Sequence, residues 1–387
     1  MKRFVGPAVT ILTLIICILI AEFCLEIFAP VPDPYAESRY SQQLNQYIRS
    51  EFPPDFYLPT EPEAGLPGVH GPNLFSTNNM GFRGGHLAIP KPKNEFRVFI
   101  IGGSTTECLY LDDSEAINST LQKQLSEHVP DNITIKVYGA GKSGDASDDH
   151  VSMLVHRIVH LEPDMVIVFS GVNDLSRSIY NYDYLHYAQE RPKSKLPLIK
   201  LMATEFQLPR RIYYLQQGIS PTDRYVLEKI TSKTQYKEKV RLRESVPVSN
   251  ERPRVDPDAY AQNLRTIIGV LNAHRVQLVL MTQQTTWNSS VDSEAKNWHW
   301  ILYRGGVTYR EDFMDEALES LNDQMRRLAI ENSIPLYDLA KSMPKSLEFF
   351  YDDVHFNEHG AYIAGAELAT LILKKNLIKL STGAEGA

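Results

Sequence analysis

Cysteine is nearly absent from this chain. Three residues in 387 carry a thiol, and two of them, Cys17 and Cys24, lie in or beside an apolar N-terminal segment, which leaves Cys108 alone in the folded body. A disulfide framework is therefore excluded, and stability has to come from a core. Such scarcity suits an extracytoplasmic protein and a cytoplasmic one alike. A long basic run is missing too: 40 Lys and Arg against 47 Asp and Glu give a net charge of -7, which argues against a partner made of nucleic acid. Internal repeats and low-complexity tracts are absent, and 43% hydrophobic with 22% charged residues rules out collagen-like and wholly disordered classes. The length accommodates one elaborated α/β domain or several smaller ones.

What is present begins with an apolar run. Met1-Lys2-Arg3 is followed by uncharged residues from Phe4 to Ala21, then Glu22, a further mostly apolar turn through Phe28, and Pro30. The run is long enough for a membrane-spanning helix, longer than the core of a cleaved signal peptide, and followed by no good small-x-small site. Phe23 before Cys24 is too bulky for a lipobox. A buried core helix would be amphipathic, and this segment is not. Residues 4–28 are therefore expected to form a transmembrane signal-anchor helix, with Lys2 and Arg3 cytoplasmic and the chain from about residue 30 extracytoplasmic, periplasmic or extracellular.

Residues 29–94 are rich in proline, from Pro30 to Pro72, and read as a stalk or a segment wrapping the domain. Beyond them Phe96–Ile101, Ile133–Tyr138, Met165–Ser170, Val276–Thr282 and Ile334–Asp338 are short β-branched runs, with helical spacing clearest over Tyr260–Leu271 and Arg310–Glu331. Strands alternating with helices predict an α/β fold, a parallel sheet of about five strands covered on both faces, with chemistry at the carboxyl ends of the strands. The domain is placed at 95–380. From about 176 to 256 the chain is polar and Tyr-rich without a convincing strand, which marks an insertion; Leu196–Phe206 and Asp223–Thr231 are its helical candidates. Tyr180, Tyr182, Tyr184 and Tyr187 either pack that insertion on the core or offer a substrate platform. The tail Ser381–Ala387 is expected to fray.

Four stretches carry candidate chemistry. The first strand runs into Gly102-Gly103-Ser104-Thr105-Thr106-Glu107, where glycines permit a tight turn and a serine at a helix start has its own N–H available to an oxyanion, although such a serine is often only a cap. The second strand leads into Gly139-Ala140-Gly141-Lys142-Ser143-Gly144, which is neither a P-loop nor a dinucleotide fingerprint, because Lys142 lies between the glycines and the spaced third glycine is wanting. The third leads into Ser170-Gly171-Val172-Asn173-Asp174, whose Asn173 either donates a side-chain hydrogen bond into a site or merely forms a turn. Near the end stands Asp352-Asp353-Val354-His355, in which a carboxylate three residues ahead of a histidine can reach Nδ1–H and leave Nε2 as a general base. Asp353 competes for that role, but its offset aims it away.

Each block alone is common; the four in this order, the first three at successive strand ends, resemble the SGNH or GDSL-type serine hydrolase superfamily over residues 96–375. The resemblance implies a flavodoxin-like three-layer α/β/α sandwich, with Ser104 as nucleophile, Asp352 and His355 completing the catalytic triad, and Ser104, Gly144 and Asn173 forming the oxyanion hole. The sequence departs from the pattern at Gly103, often Asp, and at Gly139, often Asn, and neither change removes a reacting group. The Gly-Gly-Ser-Thr block with the upstream Asn79-Met80-Gly81-Phe82-Arg83-Gly84 looks like a membrane-anchored bacterial branch, several members of which act on envelope glycans.

The expected function is thus a serine esterase removing an O-acyl or O-acetyl group from an extracytoplasmic substrate such as an envelope glycan or a lipid. The alternatives are an O-acyltransferase using the same acyl-serine, a membrane-proximal lipase, and a non-catalytic binding protein on the same fold. The chemistry asks for no cofactor and no metal, and His156 with His160, at helical spacing, reads as packing or surface histidine rather than as a zinc pair. Cys108 reads as a buried thiol, while Trp287, Trp298 and Trp300 either pack locally or stack on a sugar ring or acyl chain. The sequons at Asn118, Asn132 and Asn288 are chance in a bacterial chain.

Overall fold

Five short apolar runs build a parallel sheet. In chain order the strands are β1 (Tyr57–Thr60), β2 (Asn73–Ser76), β3 (Glu95–Gly102), β4 (Thr134–Gly141), β5 (Met165–Phe169), β6 (Val248–Ser249), β7 (Gln277–Met281), β8 (Tyr303–Arg304), β9 (Val307–Tyr309) and β10 (Leu336–Tyr337). The helices are α1 (Lys2–Phe28), α2 (Ser104–Glu107), α3 (Ile117–Ser126), α4 (Ser147–His156), α5 (Val172–Ile179), α6 (Gln207–Gln216), α7 (Gln235–Ser245), α8 (Pro257–Ala273), α9 (Ser293–Lys296), α10 (Glu311–Glu331), α11 (Leu339–Ser342) and α12 (Glu358–Lys374). The computed structural model describes residues 2–29, 31, 47–48, 51–62, 65–180, 202, 206–216, 235–287, 293–304 and 306–379. They fall into two units, Met1–Tyr40 with Tyr187–Thr231, and Ser41–His186 with Ser232–Ala387.

In the larger unit the sheet order is β10-β7-β5-β3-β4, all parallel. The order places the first strand second from one edge, as in flavodoxin-like sheets, and the chain reverses direction across the sheet between β3 and β5. Side chains alternate faces with the pleat. Phe99, Ile101, Val166, Val168, Leu278 and Leu280 join one core, with α4, α8 and α10 over it. Phe96, Val98, Ile100, Ile167, Phe169 and Val279 join the other, covered by α3 and α12. The expected α/β architecture with five parallel strands is therefore present, as three layers.

Strands β3 and β4 extend past the apolar runs Phe96–Ile101 and Ile133–Tyr138, to Gly102 and Gly141, whereas β5, β7 and β10 are shorter than theirs and β10 keeps only two residues of Ile334–Asp338. Helix α8 starts before Tyr260 because the Asp256 carboxylate accepts the Ala259 N–H at 3.0 Å and Pro257 opens the first turn. Within the described part of the insertion β6 pairs with β9, itself paired with β8, so one two-residue strand stands where none was expected. Tyr180 is described and exposed, immediately after α5. Tyr182, Tyr184, Tyr187, Asn288, Asp223–Thr231, Ser381–Ala387 and most of Leu196–Phe206 lie outside the described residues. Upstream of the sheet, Leu66, Val69, Phe75, Phe82 and Leu87 are buried, and Arg83 exchanges backbone hydrogen bonds with Gly139.

In the smaller unit Lys2–Phe28 forms one continuous helix, yet among the described residues no helix is long and apolar enough to cross a membrane. The expected transmembrane span is corrected accordingly. The acidic residue that interrupts the apolar run has a use of its own: the Glu22 carboxylate accepts the N–H groups of Gln207 and Leu208 at the start of α6, where the helix dipole favours a negative charge.

Candidate active site

The strand ends carry the first three blocks to one edge of the sheet. Ser104 opens α2 directly after β3, and its Oγ–H donates to His355 Nε2 at 2.7 Å. On the other side of the ring Nδ1–H donates to Asp352 Oδ2, again at 2.7 Å, which fixes the tautomer that leaves Nε2 as acceptor. Asp352 is fully buried; its Oδ1 accepts the backbone N–H groups of Val354 and His355, and its Oδ2 also accepts the Trp300 indole N–H at 3.0 Å. The ring of Tyr351 lies parallel to the imidazole with centroids 5.4 Å apart, and that of Trp300 with centroids 6.5 Å apart. Serine, histidine and carboxylate are thus in one hydrogen-bonded line, able to pass a proton from the hydroxyl to the ring as the oxygen attacks.

Asp353 is the carboxylate that the sequence left in competition. It faces elsewhere: Oδ1 accepts the Trp287 indole N–H at 2.6 Å, and Oδ2 accepts the backbone N–H groups of Trp300 and Ile301 at 2.6 and 3.2 Å. Burial, with the neighbouring Asp352 charge adding to it, pushes the Asp353 carboxyl pKa up, while His299 pulls the other way. Trp287 is accordingly a buried packing residue, whereas Trp300 is half-buried beside the histidine.

Asn173 sits in the first turn of α5, and its Nδ2 donates to the Asp145 carbonyl at 2.8 Å. A Cβ built on Gly103 would stand 2.4 Å from that Nδ2, so the amide lies against the backbone that precedes Ser104. Gly103 in place of the family's frequent Asp is what this close approach allows. Gly144 has φ +81°, a conformation glycine adopts freely, and its carbonyl accepts from Arg177 Nη2 at 3.3 Å. The structure therefore gathers Asn173 and the Gly144-Asp145 loop around the start of α2. Lys142 of the same loop places Nζ 3.6 Å from the centre of the Phe52 ring.

Several functional contacts were not visible in the sequence. Arg83 is almost fully buried and donates to the Glu107, Cys108 and Leu111 carbonyls, and to Asp113 Oδ1, which braces the C-terminal end of α2. Cys108, a buried residue at φ +50°, donates Sγ–H to the Thr105 carbonyl, and burial raises its pKa. His156 stacks on Tyr47 with centroids 4.5 Å apart, and His160 Nε2 lies 3.2 Å from the Val155 carbonyl. Among the described residues no group of three metal-ligating side chains is present.

Asp174, next to Asn173, ties α5 to α4: its Oδ1 accepts both the N–H and the hydroxyl of Ser147. Burial pushes its carboxyl pKa up to about 7 from 3.8. The folded chain therefore binds this proton more tightly than the unfolded chain, so this group makes stability fall as pH rises from about 4 to about 7 and level off above, by roughly 4 kcal/mol in all. Urea unfolding across that range should show the decline in the wild type and a clearly smaller one in Asp174→Asn. Identical pH profiles would remove the assignment.

A family model described as GDSL-like Lipase/Acylhydrolase matches residues 98–368. No curated protein matches the sequence. Among solved structures, a putative acylhydrolase from Bacteroides fragilis shares 15% identity over 75% of this chain and 92% of its own, with a TM-score of 0.39. A lipase/acylhydrolase from Enterococcus faecalis shares 16% over 74% and 100%, with a TM-score of 0.39. An acetylxylan esterase from Geobacillus stearothermophilus shares 14% over 76% and 100%, with a TM-score of 0.40. The family match spans well over half of the chain, and the chain belongs to the GDSL-like lipase/acylhydrolase family of ester-hydrolysing enzymes.

Proposed function

We propose that the chain is a serine esterase with Ser104 as nucleophile, His355 as general base and acid, and Asp352 as the carboxylate that orients it. The observation that carries this reading is the unbroken line Ser104 Oγ, His355 Nε2, His355 Nδ1 and Asp352 Oδ2, each link 2.7 Å. Ser104 attacks the ester carbonyl while His355 takes its proton. The N–H groups of Ser104 and Gly144 and the Asn173 amide face the developing oxyanion, and His355 then protonates the leaving alcohol. Water, activated by the same ring, releases the acid and frees Ser104. The indole of Trp300 beside His355 offers an aromatic face to the alcohol half, which favours an acylated sugar and, with it, a short acyl group such as acetyl.

We place the substrate outside the cytoplasm, with the apolar surface of α1 lying against a membrane rather than crossing it. Support comes from the apolar side chains that the helix leaves uncovered, among them Leu12, Leu14, Leu19, Ile20 and Phe23, and from Lys2 and Arg3 ahead of them.

Ser104→Ala and His355→Ala should abolish hydrolysis of p-nitrophenyl acetate, and only the wild type and variants that keep Ser104 with His355 should take a fluorophosphonate label. A folded wild type that does neither sinks the esterase reading. Asp352→Asn should lose on the order of 10³–10⁴ in kcat, because the amide turns the imidazole to the wrong tautomer. Asp353→Asn should instead lower stability by roughly 1–3 kcal/mol through its three N–H donors, with a far smaller loss in kcat. The reverse ranking of the two kcat losses would exchange their roles. The full chain should sediment with membranes in low-salt buffer and be released by an alkaline carbonate wash, with its larger unit open to protease added outside intact cells; recovery in the soluble fraction at low salt refutes the placement.

A further inference from the structure

Among the described residues, Arg304 is a guanidinium without a carboxylate partner. Its Nε donates to Ser176 Oγ at 3.3 Å and its Nη1 to the Tyr303 carbonyl at 2.9 Å, and its Cζ lies 5.1 Å from the centre of the Trp300 ring. Among the described residues no Asp or Glu forms an ion pair with it, whereas Arg83, Arg97, Arg157, Arg177 and Arg326 each meet at least one carboxylate. Tyr180 and Asp353 act on it electrostatically from nearby, and the Asp353 oxygens are already filled by Trp287, Trp300 and Ile301. Burial pulls the Arg304 pKa down, a sign that its surroundings solvate the charge poorly. The charge nevertheless stays on at any ordinary pH.

Its position links it to the reacting atoms. Ser176 lies three residues beyond Asn173 on α5, so the two share a helix face. Trp300, under the guanidinium, donates to the same Asp352 oxygen as His355 Nδ1–H. Arg304 thus bridges the helix that carries the Asn173 amide and the indole beside the histidine. Because His355 hands its proton to the departing alcohol, the Trp300 and Arg304 shoulder borders the alcohol half of the ester. A planar guanidinium with an Nη2 that has no partner among the described residues is suited to two-point binding of a carboxylate or phosphate.

We propose that Arg304 forms an anion-recognition subsite, and that the preferred substrates are acyl esters whose alcohol half carries a carboxylate or a phosphate, as an acidic glycan does. The proposal rests on the serine-esterase reading for the location of the alcohol half.

The test compares three acetate esters on the full chain: 4-acetoxybenzoate, 4-acetoxyphenyl phosphate and the neutral methyl 4-acetoxybenzoate. The quantity read is kcat/KM for each anionic ester divided by kcat/KM for the neutral one, which cancels general damage. That ratio should fall about tenfold or more in Arg304→Gln and by less in Arg304→Lys, and added salt should lower it in the wild type far more than in Arg304→Gln. A drop confined to one anionic ester assigns the subsite to carboxylate or to phosphate. Ratios unchanged by Arg304→Gln overturn the proposal. Should the wild type hydrolyse none of the three, the esterase reading fails separately. Quenching of tryptophan fluorescence by 4-hydroxybenzoate and by 4-hydroxyphenyl phosphate then decides the subsite: saturation weakened about tenfold in Arg304→Gln for at least one of them supports it, and superimposable titrations for both overturn it.

Discussion

Asp352 is sealed from water, and a carboxylate in that position keeps its charge only where N–H groups take the place of solvent. Its two oxygens accept from Val354, His355, the imidazole and the Trp300 indole. Asp353, equally buried, accepts from Trp287, Trp300 and Ile301. The stretch after β7 is bound to the same turn from a third direction, since Thr286 donates its N–H to the Asp353 carbonyl and its hydroxyl to that of Asp352. Two adjacent acids thereby force three separate parts of the chain to meet at the histidine. Neither acid can be exchanged for the other, because each already has its own set of donors.

The nucleophile side is shaped by a different constraint, the room for backbone. A Cβ on Gly141 would stand 2.4 Å from the Glu107 N, and one on Gly102 2.0 Å from Thr106 Oγ1, so the end of β4 and the end of β3 close directly on α2. A four-residue helix has too few internal hydrogen bonds to fix itself. Arg83 supplies the missing restraint by taking up the Glu107 and Cys108 carbonyls at the C-terminal end of the helix. The departure at Gly139 belongs to the same arrangement: a Cβ there would meet Arg83 Cβ at 3.4 Å, at the position where the two residues exchange backbone hydrogen bonds. What looked like a weak second block is the seat of the segment that stiffens the first.

This division explains what could be read from the sequence. The five strands were legible because both faces of a parallel sheet are buried and leave near-continuous apolar runs, and the four motifs were legible because each keeps its residues close together at one strand end or one turn. The roles of Asp353, Trp300, Arg304 and Arg83 were not, since each depends on partners 24 to 128 residues away that only the closed fold brings together. Hydropathy alone gave the N-terminal helix but not the use of Glu22, whose partners lie 185 and 186 residues further on.

Trp300 is the point at which these constraints meet. One edge of the indole donates to a buried carboxylate, and the ring carries a guanidinium. An arginine placed in direct contact with Asp352 would compete with His355 for its oxygens and weaken the orientation of the base. With the indole between them, the carboxylate behind the histidine and the guanidinium at its shoulder remain separate: under the proposed mechanism the first stabilises the imidazolium formed during attack, and the second is left for a ligand. The flat face of an aromatic ring favours a cation above it, so the same residue holds Arg304 in place, with no acid among the described residues to neutralise it. On the proposed reading, a site built this way separates the charge needed for catalysis from the charge available for recognition, and it does so with a single side chain.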